Sequence, residues 1–226
     1  MLVLGAFLAV QVADRADAQL SRCDRHRVDS RDRATIVTGD GASTLVVGDS
    51  WSVGLGLTDL SRSWPSRLPG EVHVAGFSGS GFGAGASRCR GASFAERAPR
   101  ALSTGALRAD PPDLVVVEGG LNDWDQTDAA VEQGFASLMR TFGAIPVVVV
   151  GPASAPQRGD LVSRVDLLLA RLCDAYAVPY VATSDLELPY LDDGLHLTET
   201  GHEEFGQAVA ERISVVQPAR PRVLVP

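Results

Sequence analysis

At 226 residues the chain is long enough for one α/β domain with little left for a second, and a domain of that size holds a core without disulfides or a structural metal. Its net charge of −8 argues against a nucleic-acid partner, which needs a basic face, and all 20 cationic side chains are arginine.

The first feature along the chain is the apolar run 2–10, LVLGAFLAV, too short to cross a bilayer as a helix. Beyond it, Ala16-Asp17-Ala18 has the small-x-small form of a signal cleavage site, although no basic residue precedes the run. The expectation is export to the cell envelope or the medium, with a cytoplasmic location as the alternative and no stable membrane span in the mature domain. Arg22 to Arg33 is interrupted by Asp24, Asp29 and Asp32 and reads as a solvated, poorly ordered segment. Residues 1–40 are thus expected to form an arm, 41–215 the folded domain and 216–226 a tail. Cys173 falls in an apolar helical pattern and reads as a buried thiol. Cys23 and Cys89 can pair if the protein is exported, tying the arm to the domain.

Thr44-Leu45-Val46-Val47 is a short apolar run ended by Gly48, the pattern of a buried parallel strand. Val72 to Ala75, Leu114 to Val117, Val147 to Val150 and Pro179 to Ala182 repeat it. Between them, Ala129 to Phe142 reads as an amphipathic helix. A second helix is expected after an Asp160 N-cap, with Leu161, Val165, Leu168, Leu172 and Tyr176 on one face. The last opens near Thr198 and runs through Phe205, Val209 and Ile213. Strands alternating with helices imply a parallel sheet covered on both faces. Ligands in such folds bind beyond the carboxyl ends of the strands. Gly48-Asp49-Ser50, Gly76 to Gly81 and Gly119 to Asp123 all follow strands, so these turns converge on one sheet edge.

Their residue types suit acyl transfer. Ser50 is a candidate nucleophile, although the segment lacks the Gly-x-Ser-x-Gly elbow because Ser52 occupies the last position. In Asp192-Asp193-Gly194-Leu195-His196, an Asp three residues before a His can hold one ring nitrogen and leave the other as base; spacing favours Asp193 over Asp192. Gly79 permits close backbone approach and the Asn122 amide can donate, as oxyanion stabilisation requires. Trp51 and Trp124 flank these positions and are candidates for the substrate pocket or for packing. Gly79-x-Gly81-x-x-Ala84 has no acidic partner at the distance a dinucleotide site needs, and His202 with Glu199 and Glu203 does not form a zinc pattern. No metal or organic cofactor is expected.

Gly48-Asp49-Ser50, Gly79, Gly120-Leu121-Asn122-Asp123 and Asp193-Gly194-Leu195-His196 occur in this order in the SGNH, or GDSL, hydrolases, and from Ser43 to Ile213 the chain resembles that family. The resemblance implies a three-layer α/β/α fold around a flavodoxin-like parallel sheet of about five strands. It also implies catalysis by Ser50, His196 and Asp193, with an oxyanion hole from the Ser50 and Gly79 N–H groups and the Asn122 side chain. Many members carry an Asn before the second-block glycine where this chain has Val74-Ala75-Gly76-Phe77-Ser78-Gly79, so Gly76 and Gly81 stay open as alternative donors. The implied partner is an ester substrate, a small molecule or one linked to glycan or lipid. An acyltransferase with the same triad and a non-catalytic binding domain on the same fold are the rival readings. Oligomeric state is not legible.

Overall fold

Valine-rich runs build the centre of the molecule. The computed structural model describes residues 22–216, in which β1 (Ser43–Gly48), β2 (Glu71–Gly76), β3 (Leu114–Glu118), β4 (Val147–Val150) and β5 (Tyr180–Val181) form one parallel sheet. Its order is β2-β1-β3-β4-β5. The register aligns Val47 with Ala75 on one side and with Val117 on the other, and Val117 with Val149. Because side chains alternate along a strand, Leu45, Val47, Val115, Val117, Val147 and Val149 enter one core while Val46, Val116, Val148 and Val150 enter the other. Burying each such side chain contributes about 1.5–3 kcal/mol.

Parallel neighbours need crossovers, and helices supply them. Against the first core lie α3 (Phe94–Leu102), α4 (Asp128–Phe142) and α5 (Leu161–Ala175), through Phe94, Phe135, Leu138, Val165, Leu168 and Leu169. α6 (Glu199–Val216) covers the second through Phe205, Val209 and Ile213, beside Trp51 and Trp64. The result is the expected three-layer α/β/α arrangement. From β1 the chain moves outward to β2 and then returns to place β3 on β1's other side, so the switch point lies between β1 and β3.

Some elements differ from their sequence pattern. Residues 22–34 form a helix, α1, not the solvated, poorly ordered stretch expected of Arg22 to Arg33. The cause is tertiary: Cys23 is bonded to Cys89, and Arg33 is fully buried, donating to Ser63 Oγ at 3.0 Å and Ile36 O at 2.9 Å. In α5 the inward stripe is Val162, Val165, Leu168, Leu169 and Cys173, while Leu161 and Tyr176, expected on it, are 54% and 45% exposed. Asp160 precedes that helix without a side-chain capping bond. Cys173 is buried as expected, and burial pushes its thiol up to about 12. The apolar run 2–10, the Ala16-Asp17-Ala18 site and residues 217–226 of the tail lie outside the described residues. No described helix is long and apolar enough to cross a membrane.

Candidate active site

Ser50 opens a single helical turn, α2 (Ser50–Val53), directly after β1. Asp49 caps it by accepting the Trp51 N–H at 2.9 Å, and Gly54 closes it. Ser50 is left 6% exposed.

His196 arrives from the far end of the chain, on a loop that folds back so that Leu191 N–H donates to His196 O at 2.8 Å. Asp193 organises this loop. Its Oδ1 accepts the Leu195 and His196 N–H groups, each at 2.9 Å, and its Oδ2 meets His196 Nδ1 at 2.5 Å. Burial works against its charge, but the bonds from His196 and Leu195 prevail and hold the carboxyl down at about 2. Of the two adjacent acids it is therefore Asp193, not Asp192, that contacts the imidazole. A carboxylate at Nδ1 fixes the tautomer and leaves Nε2 as the basic nitrogen. The Trp51 indole N–H donates to Leu195 O at 3.0 Å, joining the neighbour of Ser50 to the neighbour of His196. Among the described residues no hydrogen bond links Ser50 Oγ to His196 itself. Such contacts often tighten only once substrate is bound.

Asn122 follows β3 across the switch point. Its amide nitrogen donates to Asp49 Oδ2 at 3.0 Å and to Ser80 O at 2.9 Å, so both amide hydrogens are engaged. Of the three candidate glycines, Gly79 adopts a left-handed φ of 79° that favours glycine, and a side chain built there would meet nothing within 4 Å. Gly76 ends β2 with its carbonyl taken by Ser30, and Gly81 lies against the Asp123 carboxylate. Among the described residues neither the Ser50 nor the Gly79 N–H has a hydrogen-bond acceptor. The two tryptophans part company. Trp51 is 1% exposed and belongs to the core between Tyr190 and Phe205, whereas Trp124 is 38% exposed with the Arg158 guanidinium over its ring. A groove of about 680 Å³ lined by Ser154, Ser184, Leu188 and Tyr190 opens nearby on the β5 side, and neither Ser50 nor His196 lines it.

Beneath Ser50 lies a buried polar layer that the motifs do not announce. Arg97 on α3 donates to Gly48 O at 2.9 Å, to Ser80 Oγ at 3.0 Å and to Ala75 O, tying together the ends of β1 and β2 and the turn after β2. Its guanidinium lies 5.9 Å from the Phe77 ring centroid and 5.7 Å from that of Phe94. Ser52 donates to Glu118 at 2.7 Å, and Trp64 donates to Ser52 at 3.1 Å. Burial drives the Asp49 and Glu118 carboxyls upward, and the charge of Asp123 adds to the first while that of Asp49 adds to the second. Asp123 accepts the Phe82 and Gly83 N–H groups at 3.1 and 2.7 Å and so fixes the glycine-rich loop. The sequence marks the start of α3 with the Ser93–Glu96 capping box, although Pro99 lies inside the helix.

A hydroxyl, an imidazole backed by a carboxylate, and unpaired N–H groups on one sheet edge are the components that acyl transfer uses. The GDSL-like Lipase/Acylhydrolase family matches residues 46–204 of the chain. No curated protein matches the sequence. Among solved structures, the fold is similar to that of a carbohydrate acetylesterase from Sinorhizobium meliloti, with a TM-score of 0.63 and 20% identity over 77% of this chain and 99% of that one. It is also similar to an aryl esterase of M. smegmatis, with a TM-score of 0.58 and 22% identity over 78% of this chain and all of the other. A catalytic mutant of an acetylxylan esterase from Geobacillus stearothermophilus gives 0.55 and 14%, over 78% of this chain and 95% of that one.

Proposed function

Since the chain belongs to the GDSL-like lipase/acylhydrolase family and is a carboxylic ester hydrolase, we propose that Ser50 is its nucleophile, His196 its base and Asp193 the acid that holds His196. Ser50 Oγ attacks the ester carbonyl as His196 Nε2 takes its proton. The same nitrogen then gives that proton to the departing alcohol, and a water activated by His196 releases the acyl group from Ser50. The carrying observation is the Asp193–His196 pair, bonded at 2.5 Å on a loop tied through Trp51 to the turn of Ser50.

The unpaired Ser50 and Gly79 N–H groups are the proposed first donors to the oxyanion. Asn122 joins them as a third by exchanging or sharing one of its bonds to Asp49 and Ser80. The proposed substrates are short-chain or carbohydrate-linked acyl and acetyl esters. In support, similar folds include proteins named as carbohydrate acetylesterases. We further place the folded chain in an oxidising compartment outside the cytoplasm, a reading the Cys23–Cys89 bridge supports. Ser50→Ala is expected to abolish hydrolysis of a short-chain nitrophenyl ester while circular dichroism stays unchanged; full retained turnover would refute the assignment.

A further inference from the structure

Gly79 offers its N–H from a turn with open space over the glycine, since a side chain built there would meet nothing within 4 Å. Hydrogen bonds made by its neighbours, not packing at its own α-carbon, therefore set its place. Ser80 N–H donates to Phe77 O at 3.1 Å and closes the turn, and Phe77 N–H donates to Gly48 O at 3.1 Å. Gly48 stands just before Asp49 and Ser50, so its carbonyl is where the Gly79 turn and the Ser50 turn meet. Arg97 grips that meeting point from α3. Its Nη2 donates to Gly48 O at 2.9 Å and to Ser80 Oγ at 3.0 Å, Nη1 donates to Ala75 O, and Nε donates to Ala92 O at 2.9 Å. Ser80 carries the connection further, because its carbonyl accepts the Asn122 amide at 2.9 Å. The acceptors of these bonds are carbonyls and one hydroxyl, so the guanidinium serves here as a rigid fork and not as the partner of a carboxylate.

We propose that Arg97 is a positioning residue for the oxyanion hole: its fork fixes the spacing of the Ser50 and Gly79 N–H groups and, through Ser80, of the Asn122 amide. This rests on the roles given above to Ser50, Gly79 and Asn122. Arg97 touches no reacting atom. It holds the donors where the negative oxygen will form, and such donors are effective because they already stand there. A misplacement of about 1 Å can cost about a hundredfold in rate. Lysine cannot replace the fork, because one ammonium on a flexible stem has no planar set of donors to span Gly48, Ala75 and Ser80.

The test is Arg97→Lys, assayed on a short-chain nitrophenyl ester at a temperature where circular dichroism shows the variant folded. Its kcat and kcat/KM should fall together by about 10–100-fold while KM stays within about twofold of wild type, since the lost interaction is made only in the transition state. A double-mutant cycle with Asn122→Ala, read in single turnovers with enzyme in excess, supplies the second readout. The combined loss should fall short of the product of the single losses by at least about threefold, because both changes act on one set of donors. Should Arg97→Lys fail to fold, Ser80→Ala removes the hydroxyl that the fork grips and takes its place, with the same split and the same coupling expected. A loss carried by KM, a kcat within about threefold of wild type, or losses that simply multiply with Asn122→Ala would each overturn the proposal. Ser50→Ala separates the two readings: turnover retained there refutes the nucleophile assignment, whereas a failed Arg97 test beside an inactive Ser50→Ala leaves that assignment standing.

Discussion

His202 is the residue through which mild acid reaches the fold. It is 1% exposed on α6, its Nδ1 accepts the Trp64 N–H at 3.4 Å, and its Nε2 is buried without a partner. Burial, with some help from the charge of His196, lowers it to about 4. The unfolded chain takes up a proton near pH 6.5 that the folded chain refuses, so the stability due to neutral His202 is full above that pH and is lost as the pH falls towards 4. About 2 kcal/mol should have gone by pH 5. Asp123, raised to about 6 chiefly by burial, works the other way and gains stability over the same range. The clean measurement is therefore a difference: the unfolding free energies of wild type and His202→Gln should converge by about 2 kcal/mol between pH 7 and pH 5 in urea titrations. Ser50, Asp193, His196 and Asn122 were legible as candidates because each sits in a short block whose local spacing carries chemistry. Arg97 was not, because its meaning comes from a partner 49 residues away at Gly48.

The elements were legible where burial follows a simple period. All five strands appear where short apolar runs place them; β1, β3 and β4 are buried on both faces, and such a strand needs only a short apolar run. α1 was missed because its charged sequence has no apolar stripe of its own and is held by a covalent bond and a buried arginine. Gly134 shows the same gap between local and tertiary logic. In the middle of an exposed helix, replacing glycine with alanine ordinarily stabilises by about 1 kcal/mol. In α4, however, a side-chain carbon at Gly134 would lie 1.9 Å from Phe82 O, where the helix runs against the loop that Asp123 fixes. Gly134→Ala should instead destabilise by about 1–3 kcal/mol, read from the urea midpoint. An unchanged or raised midpoint would show that the loop yields.

For the molecule as a whole, the Cys23–Cys89 bridge closes a long loop, with a sequence separation of 66. The chain-entropy argument assigns such a closure about 4 kcal/mol, and native bridges in small exported domains cost about 2–5 kcal/mol to remove. The Cys23→Ser/Cys89→Ser variant should lose stability on that scale in denaturant titrations, and reduced wild type should behave like it. The bridge also divides the site in a way that chain order alone does not. Ser50 and Gly79 lie inside the covalent ring, while Asn122, Asp193 and His196 lie outside it. A protease that cuts once within the ring leaves a two-chain enzyme whose proposed nucleophile and base remain parts of one covalent particle. A cut between Cys89 and Asp193 leaves them on separate molecules, joined only by packing.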